Sequence, residues 1–219
     1  MAGLASALRS LLGPEFWRQK LANWRARRFD RRYQIETSSV VPVAAMNDVA
    51  EDLARHAVHY EPTTLPKFER AMRALAIDPS RFTFVDYGSG KGRVLLLAAR
   101  HPFRRVVGVE MSAALHEVAA ANVEAFGRGC RLAAPIELHC GDARDFPVPE
   151  GNLVAYFYNP FDESVLAEVW GKLHESLRQA PRSLVVIYVN PAHRQVFDGA
   201  RVLERVFDDG AVTVYRSSS

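Results

Sequence analysis

The sequence predicts an α/β fold: a doubly wound, mainly parallel seven-stranded sheet with an antiparallel C-terminal hairpin, plus an N-terminal helical extension. Three observations carry that prediction. The segments around Val106, Val154 and Val185 are continuous apolar runs, as strands buried on both faces require. A Gly-x-Gly-x-Gly turn, Gly88 to Gly92, joins an apolar strand to a helix. Near the C-terminus, Asp208-Asp209-Gly210 separates two strand-like segments, which is a hairpin signal.

In chain order, Leu4, Leu8, Leu11 and Leu12 fall at helical spacing, and Gly13-Pro14 stops that helix. Phe16, Trp17, Leu21 and Trp24 predict a second helix that ends in the run Arg25 to Arg32. Thr37-Ser38-Ser39 reads as a loop and Asp48 to His59 as a helix. Leu65, Phe68, Met72 and Leu75 give a helix ahead of strand one, Phe82–Asp86. A helix from Gly92 to Arg100 follows, then strand two at Arg105–Glu110. Ser112 is an N-cap for a helix running to Phe126, because its hydroxyl can accept a free N–H of the first turn. Strands three and four are Ile136–Cys140 and Leu153–Tyr158. Leu166, Val169, Trp170, Leu173 and Leu177 form one helical face, and strand five is Leu184–Val189. Arg201–Phe207 and Val212–Tyr215 make the hairpin. Residues 1–60 thus read as a basic helical extension or lid, and 61–219 as the α/β domain.

Charge supports that division. Residues 1–32 carry eight Lys/Arg and two Asp/Glu, a net of +6, while the remainder carries 20 against 23, a net of −3. No apolar run reaches the roughly 18 residues that span a bilayer. The start lacks the charged n-region of a secretory signal; it is acid-poor and Arg-bearing, which leaves a transit peptide open. Cys130 and Cys140 do not form a metal pattern, and the seven histidines show no ligand spacing, so no metal is expected. Reduced thiols suit a cytoplasmic protein.

The glycine turn lets backbone N–H groups approach a ligand, since no Cβ blocks them. Its spacing differs from the Gly-x-Gly-x-x-Gly of a dinucleotide site, whose third glycine is missing here: Arg93 stands at the fifth position after Gly88 and Val94 at the sixth. The run Val85-Asp86-Tyr87-Gly88-Ser89-Gly90 resembles the first motif of class I S-adenosylmethionine (SAM)-dependent methyltransferases. That resemblance implies SAM as cofactor. Asp86 would help bind the methionine ammonium, and Tyr87, Gly88, Ser89 and Gly90 would bring the backbone close. Glu110, ending strand two beside Met111, can accept both ribose hydroxyls. Asp142 in Gly141-Asp142-Ala143 is placed to accept from the adenine amino group, with the Ala143 N–H facing the ring. Tyr60-Glu61-Pro62-Thr63 resembles the loop that closes over the cofactor, so Tyr60 and Thr63 join the set. The bland reading makes each acid an ordinary strand end or turn; three in order at successive strand ends argues against it. Lys91 and Arg93 are expected on the surface.

Tyr158-Asn159-Pro160-Phe161 closes strand four and resembles the Asn/Asp-Pro-Pro-aromatic motif of amino-group methyltransferases, with one proline missing. By that likeness Asn159 and the carbonyl held by Pro160 accept the amine's N–H bonds and aim its lone pair, while Phe161 packs on the target. A lysine acceptor must first lose a proton, at a cost of about 4–5 kcal/mol at pH 7. Aromatic walls from Tyr156, Phe157, Tyr158 and Phe161 would lower that cost, although some of the four must face the core. The alternative for Asn159-Pro160 is a simple strand-ending turn. The pattern from Tyr60 to Tyr188 is similar to small bacterial methyltransferases related to the non-SET histone and protein lysine methyltransferases. The methyl acceptor, protein or small molecule, stays open. Two other functions remain: an NAD(P)-linked oxidoreductase, and a non-catalytic nucleic-acid-binding protein of the same fold.

The basic arm, Arg18, Lys20, Arg25, Arg27, Arg28, Arg31 and Arg32, interleaves with Trp17, Trp24 and Phe29 as a nucleic-acid surface would. The preferred reading is an amphipathic helix whose aromatics pack on the domain and whose arginines are solvated.

Overall fold

The computed structural model describes residues 13–42, 48–49 and 60–217. The helix expected over Leu4–Leu12, and all but the first two residues of that expected over 48–59, lie outside them. Helix α1 spans Pro14–Tyr33, opened by Gly13 in extended geometry and by Pro14, whose ring presets the helical φ. Then follow α2 Leu65–Ala74, β1 Phe82–Tyr87, α3 Arg93–Ala98, β2 Arg105–Glu110, α4 Ala113–Gly129, β3 Ile136–Cys140 and β4 Asn152–Tyr158. The chain continues through α5 Glu163–Gln179, β5 Leu184–Val189, α6 Gln195–Asp198, β6 Leu203–Asp208 and β7 Val212–Ser217.

The seven strands form one sheet in the order β3-β2-β1-β4-β5-β7-β6. Strands β1 to β5 pair in parallel, and β7 runs antiparallel to both β5 and β6. Strand order reverses between β1 and β4, so a crevice opens there beyond their carboxyl ends. The period-2 alternation splits the strand residues into two cores. Phe84, Val106, Val154, Tyr156 and Ile187 pack with Phe68 and Ala71 of α2. Val85, Tyr87, Val107, Phe157 and Tyr188 pack with Leu166, Val169 and Leu173 of α5. Burying each such large side chain contributes about 1.5–3 kcal/mol, which explains why these runs are uniformly apolar.

Ser112 caps α4 by accepting from Leu115 N at 3.2 Å, as its residue type predicts. The hairpin carries a bulge between Arg205 and Phe207. The four-residue α6 is absent from the sequence reading, being too short to show a period.

Two expectations are corrected here. Lys91 and Arg93 are not on the surface: each is only 4% exposed. Trp17 and Trp24 do not join the domain's cores; they are 60% and 50% exposed, whereas Ala26, Phe29, Asp30 and Tyr33 in the second half of α1 seat against the domain.

Candidate functional site

The site begins with the turn after β1. Gly88, Gly90 and Gly92 have φ of +78°, +53° and +80°, the left-handed region that a Cβ disfavours. A Cβ on Gly88 would lie 2.5 Å from Pro160 Cβ, and one on Gly90 would lie 2.2 Å from the Tyr60 ring. Gly88 N and Ser89 N both donate to Val109 O, at 2.9 and 3.0 Å, fastening the turn to β2. Gly90 N donates to Glu110 Oε2 at 2.8 Å and Ser112 N to Oε1 at 2.9 Å. Burial pushes the Glu110 carboxyl up, and these N–H groups oppose that.

Asp86 differs from its neighbour. It is 3% exposed, and among the described residues no donor reaches its carboxylate. Burial first, and the nearby Glu110 second, hold its carboxyl well above the ordinary range. A buried carboxylate without a donor, beside another carboxylate, is costly unless a cation meets it.

A strap covers the turn. Val41 and Tyr60 pair antiparallel, their N–H and C=O groups bonded at 3.1 and 2.9 Å. The Tyr60 hydroxyl donates to Thr37 O at 2.8 Å. Two buried cations at the start of α3 hold this strap. Lys91 Nζ donates to both Glu36 carboxylate oxygens at 2.8 and 2.7 Å. Arg93 donates to Thr63 O, to Thr37 Oγ1 and to Asp30 Oδ1, at 3.0, 2.7 and 3.3 Å. Asp30 in turn accepts from Thr37 N, Thr37 Oγ1 and Ser38 N at 2.7–2.8 Å. The Phe29-Asp30 end of α1 is thereby tied to the glycine turn.

At the ends of β4 and β5 the chain repeats one device. Asn159 and Asn190, each followed by proline, have φ of +43° and +49°. Asparagine tolerates this conformation better than most residues. Their side chains cross-lock the two strands: the Tyr188 hydroxyl donates to Asn159 Oδ1 and Asn190 Nδ2 donates to the Tyr158 hydroxyl, both at 3.0 Å. Lys67 Nζ donates to Asn190 Oδ1 at 2.8 Å, and His193 N donates to the Tyr188 oxygen at 3.2 Å.

Both ends face one cleft. Asp86, Glu110 and the glycine turn form its charged end, and Tyr158, Pro160 and Phe161 another wall. Val94, Val109, Met111, Leu115 and Val165 give it an apolar lining.

A family model described as a methyltransferase domain matches residues 84–180, from mid-β1 to the end of α5. An RNA methyltransferase from Salinibacter ruber, solved with S-adenosyl-L-homocysteine, is 27% identical, with a TM-score of 0.51 over 71% of this chain and 92% of that one. Residues 84–180 carry a methyltransferase domain, and the chain has the class I methyltransferase fold. A curated relative from Caenorhabditis elegans, an ATP synthase lysine N-methyltransferase, is 36% identical over 84 residues. That match spans 36% of this chain and 44% of the relative, less than half its length. Precorrin 8W decarboxylase from Methanobacterium thermoautotrophicum shares the fold at 17% identity, with a TM-score of 0.50 over 73% of this chain and 93% of that one.

Methyltransferases of this class draw their methyl group from SAM, and the cleft fits that molecule on its own terms. The donorless Asp86 carboxylate suits an ammonium, and Tyr60 sits so close over Gly90 that only a bare backbone fits beneath it. Of the residues expected from sequence, Tyr60, Thr63, Asp86, Gly88, Ser89, Gly90, Glu110, Met111, Asp142, Ala143, Pro160 and Phe161 line the cleft. Tyr87 and Asn159 are not among its walls. The Tyr87 side chain lies in the core, stacked on Phe157 at 5.0 Å, because successive strand residues face opposite sides. The Asn159 side-chain oxygen is turned to Tyr188. Tyr156 and Phe157, expected as aromatic walls, are buried in the two cores, whereas Tyr158 and Phe161 do line the cleft.

Asp142 is already engaged: Arg144 Nε and Nη2 approach its carboxylate at 3.0–3.1 and 2.7 Å, and Arg144 N donates at 2.8 Å. Burial pushes this carboxyl up, but Arg144 outweighs it and leaves it below the ordinary range. Sequence reasoning missed Arg144, Glu61 and Arg93 as lining residues. Arg144 sits two residues after Asp142, a spacing at which such a pair can be read; Arg93 gives no local sign. Among the described residues no group of His, Cys, Asp and Glu could hold a metal ion.

Proposed function

We propose that this methyltransferase moves the methyl group of SAM onto an amine nitrogen, with a protein lysine as the favoured acceptor. The observation that carries the reading is the shape of one cleft: a donorless buried acid at one end, and an aromatic and proline wall at another. SAM supplies a methyl carbon on a sulfonium, open to in-line attack by a neutral lone pair. Asp86 takes the ammonium of the cofactor's amino-acid portion, Glu110 its ribose hydroxyls, and Asp142, oriented by Arg144, its adenine amino group.

On the acceptor side Phe161 and Tyr158 exclude water and favour the neutral amine. Glu61 lines the same cleft and lies near Tyr158, where its charge helps hold the phenol protonated after burial itself. It offers an incoming ammonium its first anionic contact. A backbone carbonyl of the Asn159-Pro160 turn would accept from the amine, while Tyr188 holds the asparagine side chain. The lysine N-methyltransferase relative supports a lysine acceptor over a hydroxyl or carbon.

The test is to incubate the protein with methyl-labelled SAM and a cell lysate. Label that survives in protein and is released by acid hydrolysis as methyl-lysine supports the proposal. Label confined to nucleic acid, or to small molecules without an amine, rejects it.

A further inference from the structure

The N-terminal half of α1 has no role in the cleft, and its outward face has an unusual make-up. Trp17, Leu21 and Trp24 stand at i, i+4 and i+7, one stripe along the helix, and are 60%, 47% and 50% exposed. Exposed Arg28 continues the stripe one turn on. Exposed Lys20, Arg27 and Arg31 flank it on one side, and exposed Arg25 and Arg32 on the other. The opposite face, Ala26 and Asp30, is the buried one. Over Pro14–Tyr33 the sequence holds seven Lys/Arg against two acids, and one of those acids, Asp30, is buried against Arg93.

We infer that this face of α1 docks the protein on an anionic membrane surface. An interfacial helix needs a tryptophan- and leucine-bearing stripe that enters the headgroup boundary, with long cationic side chains on both flanks reaching to lipid phosphates. Both are present, and the charge complements an anionic leaflet. No described helix is long and apolar enough to cross a membrane, so α1 would lie in the surface plane. RNA is the less suitable partner. Base stacking uses open ring faces. Here the Arg28 guanidinium lies over Trp24 and Lys20 Nζ over Phe16, each at 5.4 Å, and the residue between the two tryptophans is aliphatic.

Flotation of the full chain with vesicles tests this without reference to methyl transfer, so its outcome is separate from that of the proposed activity. At low salt, binding to 70:30 phosphatidylcholine:phosphatidylglycerol vesicles should exceed binding to pure phosphatidylcholine at least about tenfold, and tryptophan emission should shift to the blue. The variant W17S/W24S should lose about tenfold of that binding, and R27E/R31E a similar amount. The two variants change different residues on a face that makes no core contacts, so either one alone can decide the matter. Equal binding to both vesicle types, or undiminished binding by both variants, overturns the inference. Binding to polyuridylate with none to either vesicle would overturn it in favour of a nucleic-acid surface.

Discussion

The two ends of the cleft solve opposite problems with similar residues. At the β1–β2 end, polar groups are left partly unsatisfied: Asp86 has no described donor, and Glu110 offers remaining lone pairs beside it. At the β4–β5 end, polar groups satisfy one another. Tyr158 meets Asn190, and Tyr188 meets Asn159, which leaves ring and proline surfaces to face the cavity. One end is built to be completed by a charged ligand. The other is complete already and acts through shape. The comparison teaches that a buried polar cluster says little by itself; what it lacks is the informative part.

The largest expected effect belongs to the unsatisfied end. Asp86→Asn should weaken SAM binding by several hundredfold in calorimetry, because a buried ammonium would lose its counter-charge. A loss under tenfold would erase the distinction between the ends. Next, Arg93→Met should lower folding stability by about 3 kcal/mol, read from the urea midpoint, since it leaves Asp30 and Thr63 O without their cation. An unchanged midpoint would mean that the strap is not held from α3. Gly90→Ala should cost about thirtyfold in SAM affinity, from left-handed strain and the forced displacement of Tyr60; wild-type affinity would show that the ring moves freely. At the self-satisfied end the effect is smaller. Tyr188→Phe removes two hydrogen bonds, to Asn159 Oδ1 and from His193 N, each of about 1 kcal/mol, and should reduce kcat about fivefold while leaving the SAM Kd unchanged. A change in Kd instead would couple the two ends.

The pH dependence follows from the same asymmetry. The Asp86 carboxyl is raised in the folded state, so its contribution to stability is present below the unfolded value of 3.8 and is lost as pH rises through the folded value. Without SAM, Asp86→Asn should therefore melt above the wild type at pH 7.5, with the gap closing as pH falls toward 4. A variant that melts lower at pH 7.5 would mean that a protein donor already serves this acid.

Most of the fold was legible because buried parallel strands need unbroken apolar runs, and those runs end in the acids and glycines of the site. Strand limits differed from the sequence reading by a residue or two, as at Tyr87, Asn152 and Ser217, because pairing at a strand end is set by the neighbouring strand and not by the end residue's own side chain. Lys91 and Arg93 were misread for a definite reason. Their partners Glu36, Asp30 and Thr37 lie 55 to 63 residues earlier, so no local pattern distinguishes them from solvated cations. Trp17 and Trp24 were misread in the opposite sense, because composition cannot reveal which stretch of an amphipathic helix has a neighbour. The second Asn-Pro turn was readable: Tyr188-Val189-Asn190-Pro191 echoes Tyr158-Asn159-Pro160, but its meaning depends on β4 and β5 lying side by side.

The paired asparagines also limit how this protein can vary. A positive φ before a proline leaves little room for any side chain with a branched or bulky β position. Aspartate could adopt the backbone and accept from the Tyr188 hydroxyl, but would bring an unpaired charge into a half-buried position. Glycine could adopt it but would release the neighbouring strand's tyrosine. At Asn159 the backbone and the side chain thus filter replacements independently, and a library saturated at that codon should return asparagine almost alone wherever selection is for activity rather than for folding.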